Sequence, residues 1–434
     1  MVTKMNAEIK FKKTPIGEIP EDWVVVGLGE VVHFESGKRP KGGGQEAGEV
    51  PSIGGEHIGS DGRIKWENMK FIPKEFFAQL RKGKVKVGDI LLVKDGATTG
   101  KVAFVEDIKG YSEVAINEHV YLLRPKDFNT LHNLFLFYFM YSPFAQVQIQ
   151  QAFHGMIGGI KNSELKRLLL FLPPLPEQKK IAEILRTVDN AIEKTDEAIE
   201  RTERLKNGLM QRLLTKGIKH ERFKKTELGE IPEEWQVVRL GEIAQKIKTG
   251  PFGSQLRKSE LTDRGIKVYT QDNVLRRDFS LGNIYISPEK FKQLKSMEVK
   301  PGDILLTIRG TVGKAIVVPE GVEKGIIHTN LAIIRVNPEI LWPEYLERII
   351  NDSKIIPWQI NAARSSTTLP ALYAGTIKRL KLPLPPLSEQ KQIAEILSTV
   401  DRKLELLRRR REKLERVKRG LMRDLLTGRR RVKY

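Results

Sequence analysis

The segment Pro15-Ile-Gly-Glu-Ile-Pro-Glu-Asp-Trp23-Val-Val-Val-Gly-Leu-Gly-Glu30 returns as Glu227-Leu-Gly-Glu-Ile-Pro-Glu-Glu-Trp235-Gln-Val-Val-Arg-Leu-Gly-Glu242, which sets Trp23 and Trp235 212 positions apart. Far downstream, Glu177-Gln-Lys-Lys-Ile-Ala-Glu-Ile-Leu-Arg-Thr-Val-Asp189 returns as Glu389-Gln-Lys-Gln-Ile-Ala-Glu-Ile-Leu-Ser-Thr-Val-Asp401, at the same offset of 212 and with 11 of 13 positions identical. A repeat this long is two copies of one folding unit. A chain of 434 residues is also too long for a single hydrophobic core.

Between these anchors the copies diverge but keep a skeleton. Gly88-Asp-Ile-Leu-Leu-Val-Lys-Asp-Gly96 faces Gly302-Asp-Ile-Leu-Leu-Thr-Ile-Arg-Gly310, and each is followed by a turn and a second apolar run, Lys101 to Val105 and Lys314 to Val318. Val- and Ile-rich runs bounded by Gly, Pro and Asp predict short strands. Leu131 to Ala152 and Pro343 to Ile356 predict helices. Each domain closes on a stiff proline connector, Leu172-Pro-Pro-Leu-Pro176 or Leu384-Pro-Pro-Leu-Ser388.

After each connector the pattern predicts a helix of about 38 residues, roughly 57 Å long. Pro176 suits the first turn, Ser388 the N-cap, Glu177 and Glu389 the positive helix end, and Gly217 and Gly428 the C-terminal stops. Ile181, Leu185, Val188 and Ile192 on the first helix, and Ile393, Leu397, Val400, Leu404, Leu414 and Leu421 on the second, follow three- and four-residue steps, the spacing of a coiled coil. The first seam continues through Leu205 and the second through Val417, with Arg411 a costly intrusion at its edge. Each stripe lacks another obvious cover, so the helices are expected to pair. Antiparallel pairing is the short-loop solution; a parallel pair needs residues 218–234 to stretch back along most of a helix. The expected fold is α+β: two mixed globular domains, residues 1–171 and 219–383, separated by helical spacers at 172–218 and 384–434, with a pseudo-two-fold internal repeat.

The formal net charge is +21. A surplus of that size points to a polyanion, above all nucleic acid, whereas a thermophile-style charged surface would balance its signs. There are no cysteines, so disulfides, thiolate metal sites and cysteine catalysis are excluded, in keeping with a reducing compartment. The polar, lysine-rich start is not read as a signal peptide, and Leu134 to Tyr141 is too short to span a bilayer; a cytoplasmic location is expected. Asp95-Gly-Ala-Thr-Thr-Gly-Lys101 is one residue short of a phosphate loop, and Val102 stands where Ser or Thr would hold magnesium. A turn between strands is the better reading. Histidines without metal spacing and carboxylates on solvated helix faces leave no catalytic constellation.

The whole chain resembles the specificity subunit of type I restriction–modification systems. The residues that carry the likeness are Leu382-Pro-Leu-Pro-Pro-Leu-Ser-Glu-Gln-Lys-Gln-Ile-Ala-Glu-Ile-Leu397, Gly-Leu-Met at 208–210 and 420–422, and Gly-Glu-Ile-Pro-Glu-Asp-Trp23. The resemblance implies two target-recognition domains, each reading half of a bipartite, asymmetric sequence in double-stranded DNA. It implies a helix pair that fixes the gap and docks two adenine-N6 methyltransferase subunits. S-adenosylmethionine would bind those partners, and ATP and magnesium the restriction and motor subunits. The chain itself would be non-catalytic and hold no cofactor.

Corresponding loops of unequal sequence are the expected DNA-binding positions. They are Lys38, Arg39 and Lys41 opposite Lys248, Gln255 and Arg257; Lys94, Thr98 and Thr99 opposite Arg309 and Thr311; and His154 and Lys161 opposite Arg364, Ser365 and Thr367. The triple glycine at 42–44 also fits a plain flexible hairpin. The basic run from Arg408 to Arg411, with Lys413, Arg416, Lys418 and Arg419, fits a solvated helix face, a DNA contact or an acidic partner. The tail Arg429-Arg-Arg-Val-Lys433 is read as lacking fixed structure. A coiled-coil adaptor that binds only proteins is the rival from another class.

Overall fold

A computed structural model describes residues 10–152, 159–252, 255–365 and 372–433; of residues 364 and 365 it describes the backbone alone. The chain divides into two compact units, residues 1–196 with 409–434, and residues 197–408. Each unit therefore combines one globular domain with half of each long helix, Leu175–Lys216 and Leu387–Leu426.

The two units share one architecture. In the first, the strands Val32–Ser36, Val120–Pro125, Ile90–Val93 and Val102–Phe104 form, in that order, an antiparallel sheet. In the second, Ala244–Thr249, Leu331–Val336, Ile304–Thr307 and Ala315–Val317 do the same. The unbroken apolar runs follow from burial on both faces. Ile90 and Leu92 enter one core while Leu91 and Val93 enter another. Ile304 and Leu306 divide from Leu305 in the same way. A second, smaller sheet in each domain contains one parallel pair, Val50–Ile53 with Ala115–Ile116 and Ile266–Tyr269 with Gly325–Ile327. Asp89 takes a bidentate pair from Arg124 at 2.7 Å, and Asp303 from Arg335 at 2.6 and 2.7 Å, locking neighbouring strands.

Each stretch expected as one helix is two. Asn133–Tyr141 is followed by Pro143–Gln151, and Pro343–Asp352 by Ile355–Ser365. Ser142 Oγ accepts from Ala145 N, and Ser353 Oγ from Ile355 N, so a serine followed within a few residues by Pro or Ile starts a new helix. The first helix of the first pair is buried from Phe135 to Met140.

Inside each unit the long helices run antiparallel. In the first, Lys418 pairs with Asp189 at 2.6 Å and Arg411 with Asp196 at 2.5 Å. In the second, Arg408 pairs with Glu203 and Lys206 with Asp401, each at 2.7 Å. Arg411 is thus no intrusion: an acidic stretch of one helix faces a basic stretch of the other. The seam is not uniform. Ile181, Leu185, Ile393 and Leu397 are fully buried in the domain cores, Leu404 is buried, and Val188, Ile192, Val400, Leu414 and Leu421 are half-buried. Leu205 is 52% and Val417 42% exposed, so both leave the seam. Ser388 lies inside the first turn rather than capping it, because the helix begins at Leu387. Gly217 and Gly428 do end the helices, at φ of +65° and +70°.

The connector motif now has a physical meaning. Glu177 accepts from the Trp23 indole at 3.0 Å, and Glu389 from the Trp235 indole at 2.9 Å. Gln178 accepts from His132 N and donates to the Thr130 and Pro173 carbonyls; Gln390 does the same with Trp342 N, Ile340 and Pro385. One acid and one amide thus fasten each helix start to its domain. The basic tail joins this lock: Arg431 reaches Glu177 at 2.7 and 2.8 Å and Asp22 at 2.8 Å, which overturns the expectation of a structureless tail. At the corresponding place His220 meets Glu389 at 2.9 and 3.0 Å.

Burial pushes the Asp401 carboxyl up, but Lys206 and Arg348 outweigh it and hold the group below the usual carboxylate range. Such a depressed value stabilises the fold above the unfolded pKa of about 3.9, and the contribution is lost as pH falls through the folded value. Asp401→Asn should therefore lower the stability of the second unit at neutral pH, move its acid unfolding to higher pH and flatten the loss of stability below about pH 3.9. An unchanged acid-unfolding profile in the variant would show that the pair contributes nothing.

Candidate nucleic-acid interface

At one end of each antiparallel sheet, loops distant in sequence are joined by the same backbone hydrogen bonds. In the first unit Gly37 N donates to Val120 O at 3.5 Å, Lys94 N to His119 O at 2.9 Å, and Ile160 N to Lys94 O at 2.8 Å. In the second Gly250 N donates to Leu331 O, Ile308 N to Asn330 O and Leu372 N to Ile308 O, at 2.8, 2.8 and 2.9 Å. The frame puts Lys94 opposite Ile308, Asp95 opposite Arg309, and Asn117-Glu-His119 opposite His328-Thr-Asn330.

The side chains on this common frame differ. In the first unit His119 bridges Asp95 and Glu118, Lys94 lies 3.2 Å from Asp95, and Arg39 lies 2.5 Å from Glu118. In the second, the Arg309 guanidinium lies over the Phe252 ring at 4.9 Å. Burial, aided by the Arg309 charge, pushes His328 below the ordinary imidazole value, so it is neutral at neutral pH and can both donate and accept. Thr329 Oγ1 lies 3.3 Å from both His328 Nδ1 and Asn330 Oδ1. Carboxylates accept from the amino groups of cytosine and adenine, whereas Arg and Asn make bidentate contacts to purine edges. The two clusters carry different chemistry on the same backbone frame.

The expected loop residues divide by what they touch. Lys94 and Arg39 are paired inside the first cluster; Thr99 donates to the Gly96 carbonyl within its own turn, and Thr98 to the Gly55 carbonyl, tying that turn to a neighbouring loop. Lys38, Lys41 and Lys161 are exposed around it. In the second unit Arg309 sits in the cluster, Lys248, Gln255, Arg257 and Thr311 are exposed, and Gln255 accepts from Phe252 N at 3.0 Å. His154 and Thr367 lie outside the described residues, as do the side chains of Arg364 and Ser365. Sequence reasoning omitted Asp95, Glu118, His119, His328, Thr329 and Asn330. The signal available was a polar triplet rich in Asn and His immediately before the strands Val120–Pro125 and Leu331–Val336.

No group of His, Cys, Asp and Glu suited to a metal occurs among the described residues. Nor is any described helix long and apolar enough to cross a membrane.

A duplicated α+β domain with a loop cluster and half a helix pair in each copy defines a class, and comparison with known proteins gives the family. The model of the type I restriction modification DNA specificity domain matches residues 20–201 and again 232–416. The chain belongs to this family and is a type I specificity subunit. It is 33% identical to the protein named as the MjaX type I restriction enzyme specificity subunit of Methanocaldococcus jannaschii, over 98% of both chains. It is 30% identical to the MjaVIII specificity subunit of the same organism, over 100% of this chain and 99% of the other. Its fold matches the crystal structure of a type I specificity subunit from M. genitalium with a TM-score of 0.58 at 18% identity, covering 98% of each chain.

Proposed function

We propose that this specificity subunit reads a bipartite, asymmetric DNA target, one half-site per unit, and docks two adenine-N6 methyltransferase subunits on its long helices. The observation that carries the reading is the repeated backbone frame bearing unlike side chains: equal frames dock equally, and unlike clusters read different bases. The contacting residues are those named on the loops, together with Asp95, Glu118, His119, His328, Thr329 and Asn330. Residues 1–171 and 219–383 serve as the recognition domains, and 172–218 and 384–434 as the spacers. The chain is non-catalytic by itself. S-adenosylmethionine belongs to the methyltransferase subunits and ATP with magnesium to the restriction and motor subunits, all in the cytoplasm.

Methylome sequencing of cells carrying this chain with its methyltransferase should show N6-methyladenine in a split, gapped motif. Exchanging the loop residues of one unit should change one half of the motif and leave the other half intact. A contiguous palindrome, or methylation that does not depend on the chain, would sink the reading. A protein-only adaptor would also lack the steep loss of DNA affinity with salt that counterion release imposes.

A further inference from the structure

The first unit holds a cleft of about 1120 Å³ that the half-site reading does not use. Its walls are the loop around Gly59–Arg63, the turn Thr99–Val102, and both long helices. The wall is built firmly: Tyr141 OH donates to Ser60 O at 2.8 Å, and Lys418 lies over the Tyr141 ring at 4.7 Å while pairing with Asp189.

Seven cationic and four acidic side chains line the cleft. The acids are committed. Asp189 takes Lys418, Asp196 and Glu415 take Arg411, and Asp61 accepts from Arg63 N. The cations are not all committed: Lys101, Arg416 and Arg419 have no ion-pair or side-chain hydrogen-bond partner among the described residues. Like charges gathered without counter-charges raise the local potential and call for an anion.

The second copy does not repeat this. The positions corresponding to Arg416 and Arg419 are Arg204 and Asn207. Arg204 is paired with Glu200 at 3.8 Å. Lys314 keeps the lysine of Lys101, so it is the helix part of the surplus that is specific to the first unit and does not follow from the helix repeat.

Lys101 ends the turn that begins at Lys94 and Asp95, so the turn that starts in the first cluster ends as one wall of the cleft. A duplex read by that cluster presents its sugar–phosphate strand beside it. We infer that Lys101, Arg416 and Arg419 form a phosphate clamp on the DNA backbone flanking the half-site read by the first unit. The clamp rests on the half-site reading and adds to it a contact that positions the duplex without reading bases.

The test uses the full chain assembled with its methyltransferase. Its binding is titrated against salt on a labelled duplex carrying the split motif found by methylome sequencing, and on a scrambled duplex of equal length. Each phosphate contact adds about 0.9 to the slope of log affinity against log salt. The triple variant Lys101→Gln, Arg416→Gln, Arg419→Gln should lower that slope by about 2 to 3 on both duplexes and leave the methylated motif unchanged. Arg204→Gln should leave the slope as it was. Arg416 and Arg419 are exposed and Lys101 is half-buried, and an unchanged thermal melt confirms that the variant folds. An unchanged slope overturns the clamp, as does a variant that loses methyltransferase assembly instead, which would make the cleft a protein dock. If the unaltered complex itself shows no salt-dependent binding to the motif, the half-site reading falls, a result distinguishable from failure of the clamp alone.

Discussion

Replacing Arg431 by Met should cost the first unit about 3 kcal/mol in urea unfolding, although only three residues of the sequence follow it. The reason is Glu177, which is fully buried. Its carboxylate is held by the Trp23 indole and by Arg431, which also holds Asp22 below the usual carboxylate range through a hydrogen bond. Removing the guanidinium leaves a buried charge with one neutral donor, and breaking a buried pair from one side costs about 3 to 5 kcal/mol. Arg431 is itself partly exposed, which argues for the lower end. The paired experiment is His220→Met. There Glu389 keeps both the Trp235 indole and the Ile218 amide, so the loss should be smaller, about 1 to 2 kcal/mol. Equal stability of the Arg431 variant and the unaltered chain would mean the tail contact is incidental.

If each unit reads one half-site as proposed, Gly37→Ala should abolish discrimination at one half of the target only. A Cβ at Gly37 would lie 2.0 Å from Ile116 O and 2.3 Å from Asn117 O, both rigid backbone atoms. The carbonyls belong to the segment that carries Glu118 and His119, so relieving the clash displaces the recognition cluster rather than a flexible side chain. Specific affinity should fall at least tenfold toward the non-specific level, given that each mismatched base pair costs about 1 to 3 kcal/mol. Gly250 is the counterpart, with a Cβ 2.1 Å from His328 O, and its substitution should spoil the other half-site. Binding to duplexes with one half-site scrambled at a time separates the two effects. Loss of both half-sites from either change would argue against independent reading.

Much of this was written along the chain. The runs at 90–93 and 304–307 are legible as strands because both faces of each are covered, so no charged residue interrupts them. The proline connectors and heptad spacing mark the long helices because those signals are local. The break at Ser142 was missed because the apolar run on its N-terminal side is buried all round, and periodicity carries no punctuation there.

The clusters were only half legible. Their loops could be found from unequal sequence on equal scaffolds. Their membership could not, since Lys94, His119 and Ile160 meet through backbone hydrogen bonds that leave no trace in side-chain type. Charge was misleading for a related reason. Arg408, Arg411 and Lys418 read as one basic run with Arg416 and Arg419, yet the antiparallel register pairs the first three with Glu203, Asp196 and Asp189.

The sequence by itself determined the duplication, the strand-and-helix order and the family, because repeats, periodicity and connector motifs are properties of neighbours along a chain. Only the tertiary structure decided which acids hold which tryptophans, which cations stay unpaired, and which polar loops form a cluster. Those depend on groups separated by up to 409 positions being brought within hydrogen-bond distance, as Asp22 and Arg431 are, and no local pattern encodes such a pairing.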